Sequence, residues 1–477
     1  MEKVQAVIVG SGYGGSICAA RLGQAGVKTL VLERGPRMAP SNFQQSDDPR
    51  YIQTIVDVVV ASDRVAFRTG TLVGGASIPM DGAHFRAPQK SFEVKDQAGR
   101  PYWPEAFSRA DLDPYYARVE AMLGVRQFAW TEVPKSGGLF AKMLDAAGAS
   151  CERSRMNYRD CLHCGFCAQG CKFDKKNNML RTYIPVAEAA GVEVRPAWPV
   201  TEIEPDGTGY IVRSPRGDVA ADRVVVAAGG IHSAALLLRS TKLTNLSPQL
   251  GKNFNNNGEH SFLGILPADY DDLEKYFCYK GSDNAAVMTF HWFDEEGFTV
   301  HPGSGIEPSI FASAFEAPDS AVLPKRAWGL PYKRFAEQVY PHRLIAFSVL
   351  GLADGHRSIS VGDDGTVDLP PGDRTAYDAY LDRMEDIVIG AGRKSGVTLL
   401  PAVPRKLAGM TSAHLLCACR MAESADAGVV DSDGQVFGHP NLFVSDASVL
   451  PYALGVNPAL TISAVTERMV ERMVARG

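Results

Sequence analysis

The sequence predicts a mixed α/β protein opened by a Rossmann-type unit, and three observations carry that prediction. A β-branched apolar run, Val4 to Val9, is followed at once by Gly10, Gly12, Gly14 and Gly15. A helical pattern then leads to a second apolar run, Val27 to Leu32, which ends on Glu33. The whole chain, 477 residues with 45% hydrophobic and 22% charged residues, has the composition of a globular protein long enough for several folding units.

Each element of the opening unit has a mechanical reason. Val4 to Val9 is continuous rather than alternating, as a strand buried on both faces of a parallel sheet requires. In the G-x-G-x-x-G turn, Gly10 permits the tight bend, Gly12 lets a pyrophosphate approach the backbone, and Gly15 lets the following helix sit close to the strand. The N-terminus of that helix receives the phosphate charge. Gly26 ends the helix, Val27 to Leu32 is the second strand, and Glu33 is placed to accept hydrogen bonds from the ribose hydroxyls of an adenosine. The fingerprint binds a dinucleotide without choosing between NAD and FAD.

Composition excludes other classes. Forty-nine basic against 54 acidic residues give a net charge of -5, the wrong sign for a protein that grips a nucleic-acid backbone. No run of 18 apolar residues exists to form a transmembrane helix. Cleaving the apolar, glycine-rich start as a leader would destroy the fingerprint, so Met1 is read as the mature start. Nine cysteines, an odd count with four inside one short run, suit a reducing, cytoplasmic setting.

Further motifs follow in order: Gly74-Gly75-Ala-Ser77, Trp103-Pro104, Leu112-Asp-Pro114-Tyr-Tyr116, Val224 to Ser233 around Gly229, Asn257-Gly258, Asn441 to Pro451 around Asp446, and Gly455-Val-Asn457-Pro458-Ala459. In this order they resemble the GMC family of FAD-dependent alcohol oxidases and dehydrogenases, and most closely its cholesterol oxidase branch. The resemblance implies FAD as the cofactor. It also implies two interleaved domains: a Rossmann-type FAD domain from 1–90, 160–260 and 405–477, and a substrate domain from 91–159 and 261–404 on a mostly antiparallel six-stranded sheet. Implied FAD contacts are Gly10, Gly12, Gly14, Gly15, Glu33, Arg34, Gly74, Gly75, Ser77, Gly229, Asp446, Asn457, Pro458 and Ala459. The chain departs from the branch after the second glycine cluster, reading Ser77-Ile-Pro-Met80 where cholesterol oxidases carry an asparagine.

Oxidising a carbinol requires a base for the hydroxyl proton and an acceptor for the hydride, which flavin N5 supplies. By the resemblance, His414 stands at the position of the active-site histidine and Asn457 at that of its partner on the substrate oxygen. Asn457-Pro458 also reads as a helix start, with asparagine as cap and the helix's positive end set to stabilise charge at flavin N1.

Cys161, Cys164, Cys167 and Cys171 have the spacing C-x2-C-x2-C-x3-C of a ferredoxin run. Three readings stand: an iron–sulfur cluster, as in some GMC dehydrogenases, a zinc site, or thiols that only shape the loop.

The expected reaction is FAD-dependent oxidation of a CH–OH group. The expected substrate is a hydrophobic ring alcohol such as a sterol, or a sugar or aminosugar metabolite. Sixteen of the 90 residues from 261 to 350 are aromatic, suited either to lining such a pocket or to filling a sheet core. Electrons pass to oxygen or to an electron carrier. The alternatives are a dehydrogenase relaying electrons through a cysteine-bound cluster to a partner, and a non-redox lyase or decarboxylase on the same fold.

Overall fold

A computed structural model describes residues 1–63, 65–270, 273–278, 286–303, 329–401 and 411–476. Residues 405–410 of the expected FAD domain, and part of the aromatic-rich stretch 261–350, lie outside the described residues.

The N-terminal run folds as β1 (Glu2–Val9), and Ala6 to Val9 are buried, as their unbroken apolar pattern requires. Helix α1 (Tyr13–Gln24) follows the glycine turn and leads to β2 (Thr29–Leu32). Strands β3 (Glu193–Arg195), β4 (Glu202–Asp206), β5 (Gly209–Arg213) and β6 (Val219–Val226) join the same sheet in the order β3-β2-β1-β6-β5-β4, and the short strand Leu442–Val444 pairs with β6. Strands β1, β2, β3, β6 and Leu442–Val444 pair in parallel, whereas β4 and β5 are added antiparallel. Because β1 has β2 on one side and β6 on the other, the chain leaves it at a topological switch point, where an open α/β sheet forms its crevice.

A second sheet holds β7 (His260–Ile265), β8 (Phe298–Pro302), β9 (Leu344–Gly351) and β10 (Thr398–Pro401) in the antiparallel order β8-β9-β7-β10. The described residues thus give four antiparallel strands against the six that the resemblance implied. Phe262, Phe298, Phe347 and Val349 from this sheet form a second core with Phe140 of the helix Lys135–Ala147 and Leu381 of the helix Thr375–Lys394. Trp103 to Phe128 contribute to the first core instead, where the helix Arg109–Leu123 packs on the C-terminal helix Ala459–Ala475.

The C-terminal helix also packs on α1, and a buried charge fixes that contact. Glu467 is fully buried and accepts hydrogen bonds from Arg21 Nε at 2.9 Å and Nη2 at 2.7 Å, and from Tyr183 Oη at 2.7 Å. Removing one partner of such a pair leaves the other charge desolvated, a larger loss than the net worth of the pair. Glu467→Ala is therefore expected to lower the unfolding free energy by about 3–5 kcal/mol in a urea titration, and Arg21→Ala added to it should cost less than the sum of the single changes.

Candidate active site

The glycines of the first turn divide by what a side chain would meet. At Gly10, with φ of 99°, a Cβ would run into the Ala227 carbonyl after β6. At Gly14 it would strike the Ser445 carbonyl, and at Gly15 the Gly10 carbonyl. These three are required by protein packing. Gly12 differs, because its Cβ would meet nothing nearer than Gly75 Cα at 4.0 Å. Internal packing does not explain that glycine, whereas a ligand phosphate lying on the turn does. Gly75 rests on Gly12 from the other side, with its own Cβ position 2.7 Å from Gly12 Cα. The two glycine clusters, 60 residues apart in sequence, thus form one cradle at the C-terminal edge of the sheet, suited to the pyrophosphate of FAD.

Ser11 ties this cradle together. Its N and Oγ donate to Glu33 Oε2 at 3.0 and 2.7 Å, and its Oγ accepts from Gly74 N at 3.1 Å. Gly35 N donates to the other Glu33 oxygen at 2.8 Å. Glu33 is thus already held by three protein donors, and a carboxylate with about four acceptor positions keeps room for a ligand hydroxyl. Burial pushes the Glu33 carboxyl above its usual pKa, against the opposing hydrogen bonds of Ser11 and Gly35. Arg34 points instead to Asp57 at 2.8 Å and Thr71 at 3.1 Å, and approaches His232 in the helix after Gly229. Ser77 is buried and inward-facing, donating to Gly74 O at 2.6 Å and accepting from Met179 N at 3.0 Å.

Asp446 lies against Gly14 and is fully engaged. One carboxylate oxygen accepts from Gly229 N at 2.8 Å and from Ser233 Oγ, and the other from Ser448 N and Oγ. Its side chain joins the turn after β6 to the turn after Leu442–Val444, and so shapes the crevice floor.

The segment Asn255 to Glu259 brings the two expected reacting residues under common control. Asn255 pairs with Leu416 through both backbone hydrogen bonds. Asn257, at φ of 62°, accepts from Leu454 N at 2.8 Å and Gly455 N at 3.1 Å and donates to Val456 O at 2.8 Å. It thereby clamps the loop immediately before Asn457. Glu259 Oε2 accepts from Ser412 Oγ at 2.8 Å and Ala413 N at 3.3 Å and lies 3.2 Å from His414 Nδ1. Burial raises the Glu259 pKa, but the His414 charge and these donors outweigh it and leave the carboxyl below its ordinary value.

Asn457 corrects the expected helix cap. The helix begins at Ala459 with Pro458 in the cap position, and Asn457 stands one residue outside it. Its Oδ1 is buried and has no hydrogen-bond partner among the described residues. An asparagine oxygen that satisfies no helix N–H in a buried loop is suited to a ligand.

The cysteine run lies beside the second glycine cluster. Among the described residues the four cysteines form no disulfide, and no group of three or more His, Cys, Asp or Glu gathers as a metal ion needs. The thiols of Cys161 and Cys171 accept from the loop's own backbone, His163 N at 3.4 Å and Lys175 N at 3.1 Å, and Cys167 accepts from Tyr158 Oη at 3.2 Å. Beneath them the buried Lys176 ammonium donates to the carbonyls of Ile78, Met80 and Cys167. Local hydrogen bonds and a lysine strut order this loop around Cys161, Cys164, Cys167 and Cys171, and an iron–sulfur cluster there has no support among the described residues.

The structure thus brings the expected cradle glycines, Glu33 and Asp446 together at one crevice, and places His414 and Asn457 on loops held by one segment. The sequence reading missed Ser11, Glu259 and Lys176. Ser11 had a signal, because it stands inside the fingerprint; Glu259 and Lys176 act only through residues distant in sequence.

Comparison with known proteins agrees with this arrangement. The chain is 25% identical to a cholesterol oxidase of Acinetobacter baumannii, covering 98% of this chain and 94% of that protein. It is 28% identical to an uncharacterised GMC-type oxidoreductase of Mycobacterium tuberculosis, covering 100% of this chain and 76% of the relative. A long-chain-alcohol oxidase of Arabidopsis thaliana is 22% identical over 99% of this chain and 67% of its own length. The fold is similar to the crystal structure of pyridoxine 4-oxidase from Mesorbium loti, with a TM-score of 0.68, 16% identity, and coverage of 98% and 99% of the two chains. Family profiles described as GMC oxidoreductase match residues 4–258 and 371–466, more than half of the sequence, and the chain accordingly belongs to the GMC oxidoreductases, FAD-dependent enzymes that oxidise alcohols.

Proposed function

We propose that this chain oxidises a CH–OH group with His414 as the base and Asn457 as its partner on the substrate oxygen. The observation that carries this reading is that one strut, Asn255 to Glu259, holds the loops of both residues and sets a carboxylate 3.2 Å from the histidine. The FAD domain of 1–90, 160–260 and 405–477 supplies the cradle, and 91–159 with 261–404 supplies the substrate side. Bound FAD provides the hydride acceptor. Glu259, facing Nδ1, keeps the imidazole proton on that nitrogen and leaves the Nε2 lone pair for the substrate hydroxyl proton. As the proton arrives, the same carboxylate stabilises the imidazolium. The Asn457 amide N–H donates to the oxygen as it loses its proton, and the N-terminal end of the helix Ala459–Ala475 adds a fixed positive potential beside it. Relatives named as oxidases favour oxygen as the final acceptor.

Gly12→Val is expected to fold and yet lose FAD, because the protein leaves room for a Cβ where the pyrophosphate does not; flavin absorbance after gel filtration, beside the circular dichroism of the same sample, checks this. His414→Ala should keep FAD but slow anaerobic flavin reduction by about 10²–10⁴. Wild-type reduction rate in that variant would remove His414 as the base. Glu259→Gln should slow reduction by about 10- to 100-fold, and the pH of half-maximal rate should move down, because a neutral amide no longer favours the imidazolium. A slower enzyme with an unmoved pH profile would assign Glu259 a packing role alone.

A further inference from the structure

The face of the second sheet turned away from Phe262 and Phe347 carries a polar row set among Leu263, Leu344, Ala346 and Leu350. Phe262, Phe347, Val349, Phe298 and Val300 point into the second core. Strand residues alternate, so their neighbours point the other way. In register, Ser261 faces Ser348, and Ser348 faces His301, which sets a hydroxyl, a hydroxyl and an imidazole in one row across β7, β9 and β8. Thr299, two residues before His301 and on the same face, donates to Gly455 O at 2.6 Å. This face therefore looks onto the loop that ends in Asn457. Glu259, two residues before Ser261, shares it and reaches His414.

His301 is the sharpest feature of the row. It is 6% exposed, and its Nδ1 lies 2.8 Å from the Pro302 carbonyl, which can only accept, so the ring proton is on Nδ1. Nε2 then carries a lone pair, and it is buried with no partner among the described residues. Burial, with the nearby His414 charge, holds the imidazole down at about 4, so it is neutral at physiological pH. A buried, neutral, correctly tautomerised acceptor without a donor is costly unless a ligand donor satisfies it. A sterol or long-chain alcohol has one hydroxyl, which the His414 and Asn457 pair already takes, and would lay hydrocarbon on this row.

We propose that His301, Ser348 and Ser261 form the polar roof of the substrate site and select a polyhydroxylated ring of the sugar class, with His301 Nε2 accepting from a hydroxyl other than the one oxidised. This rests on the reading of His414 and Asn457 as the reacting pair. Neighbouring strands stand about 4.8 Å apart, so the row offers several polar groups along a ring rather than a single contact. A site built to bond a hydroxyl rejects ligands that lack it, because its own buried groups are then left unpaired.

The test uses the FAD-loaded enzyme and anaerobic flavin bleaching with D-glucose, D-glucosamine, myo-inositol, cholesterol and decan-1-ol. At least one of the three polyols should reduce the flavin, and cholesterol and decan-1-ol should leave it oxidised. His301→Leu should raise KM for the active polyol by about 10- to 100-fold, and His301→Gln, which restores an acceptor, should recover part of the loss. Ser348→Ala, on a half-buried residue, should raise the same KM should the histidine variants fail to fold. Reduction by cholesterol or decan-1-ol, no reduction by any polyol in an enzyme whose flavin dithionite still reduces, or an unchanged KM in a folded His301→Leu enzyme would each overturn the polar roof. The His414→Ala rate separates the two readings: loss of reduction there with any active alcohol keeps the base while the roof fails.

Discussion

The side chain of Asn257 is the interaction on which the site depends. With one amide it closes three hydrogen bonds to the backbone of Leu454, Gly455 and Val456, and its backbone carbonyl accepts from Gly351 at the end of β9. Few residues can do this. The backbone there is left-handed, which disfavours most side chains but is tolerated by asparagine, and only a primary amide offers both donor and acceptor at that reach. Two residues on, Glu259 holds the His414 loop. A segment of five residues thus positions groups that are 43 residues apart in the chain. In a buried setting such hydrogen bonds are stiff and costly to leave unmade, so the polar groups are aimed before any substrate arrives.

What could be read from the sequence follows from distance along the chain. The βαβ unit is local: strand, glycines, helix and strand lie within 33 residues, and each constrains its neighbour directly. The cap at Asn457 was nearly local and was misplaced by one residue, because Pro458 can itself occupy the cap and leaves the asparagine free. Glu259 could not be read, since nothing in Asn257-Gly258-Glu259 announces that Ser412 to His414 lies opposite. His301 was equally hidden, for its facing depends on the register of β8 against β9, which the sequence of β8 alone leaves open.

The cysteine run was ambiguous for a different reason. Its spacing is that of thiolates converging on a cluster, but the same spacing also suits a tight loop whose sulfurs accept from nearby N–H and O–H groups. Lys176 could not be read from that spacing, yet its ammonium fills the underside of the loop with three hydrogen bonds to carbonyls. Two of those carbonyls, from Ile78 and Met80, belong to the stretch that departs from the cholesterol oxidase pattern. The loop and that departure are parts of one local arrangement beside the second glycine cluster.

The closeness of Gly14 to Ser445, and of α1 to the C-terminal helix, has a consequence for biosynthesis. During translation the glycine turn precedes the strand and helix that cover it by more than 400 residues. Until then β1 lacks the full set of neighbours that bury it, and the crevice has no floor. Assembly waits for that distant segment, a long-range closure that slows folding and exposes apolar strands meanwhile. A motif complete within 33 residues thus gains its surroundings only from a segment far away in the chain.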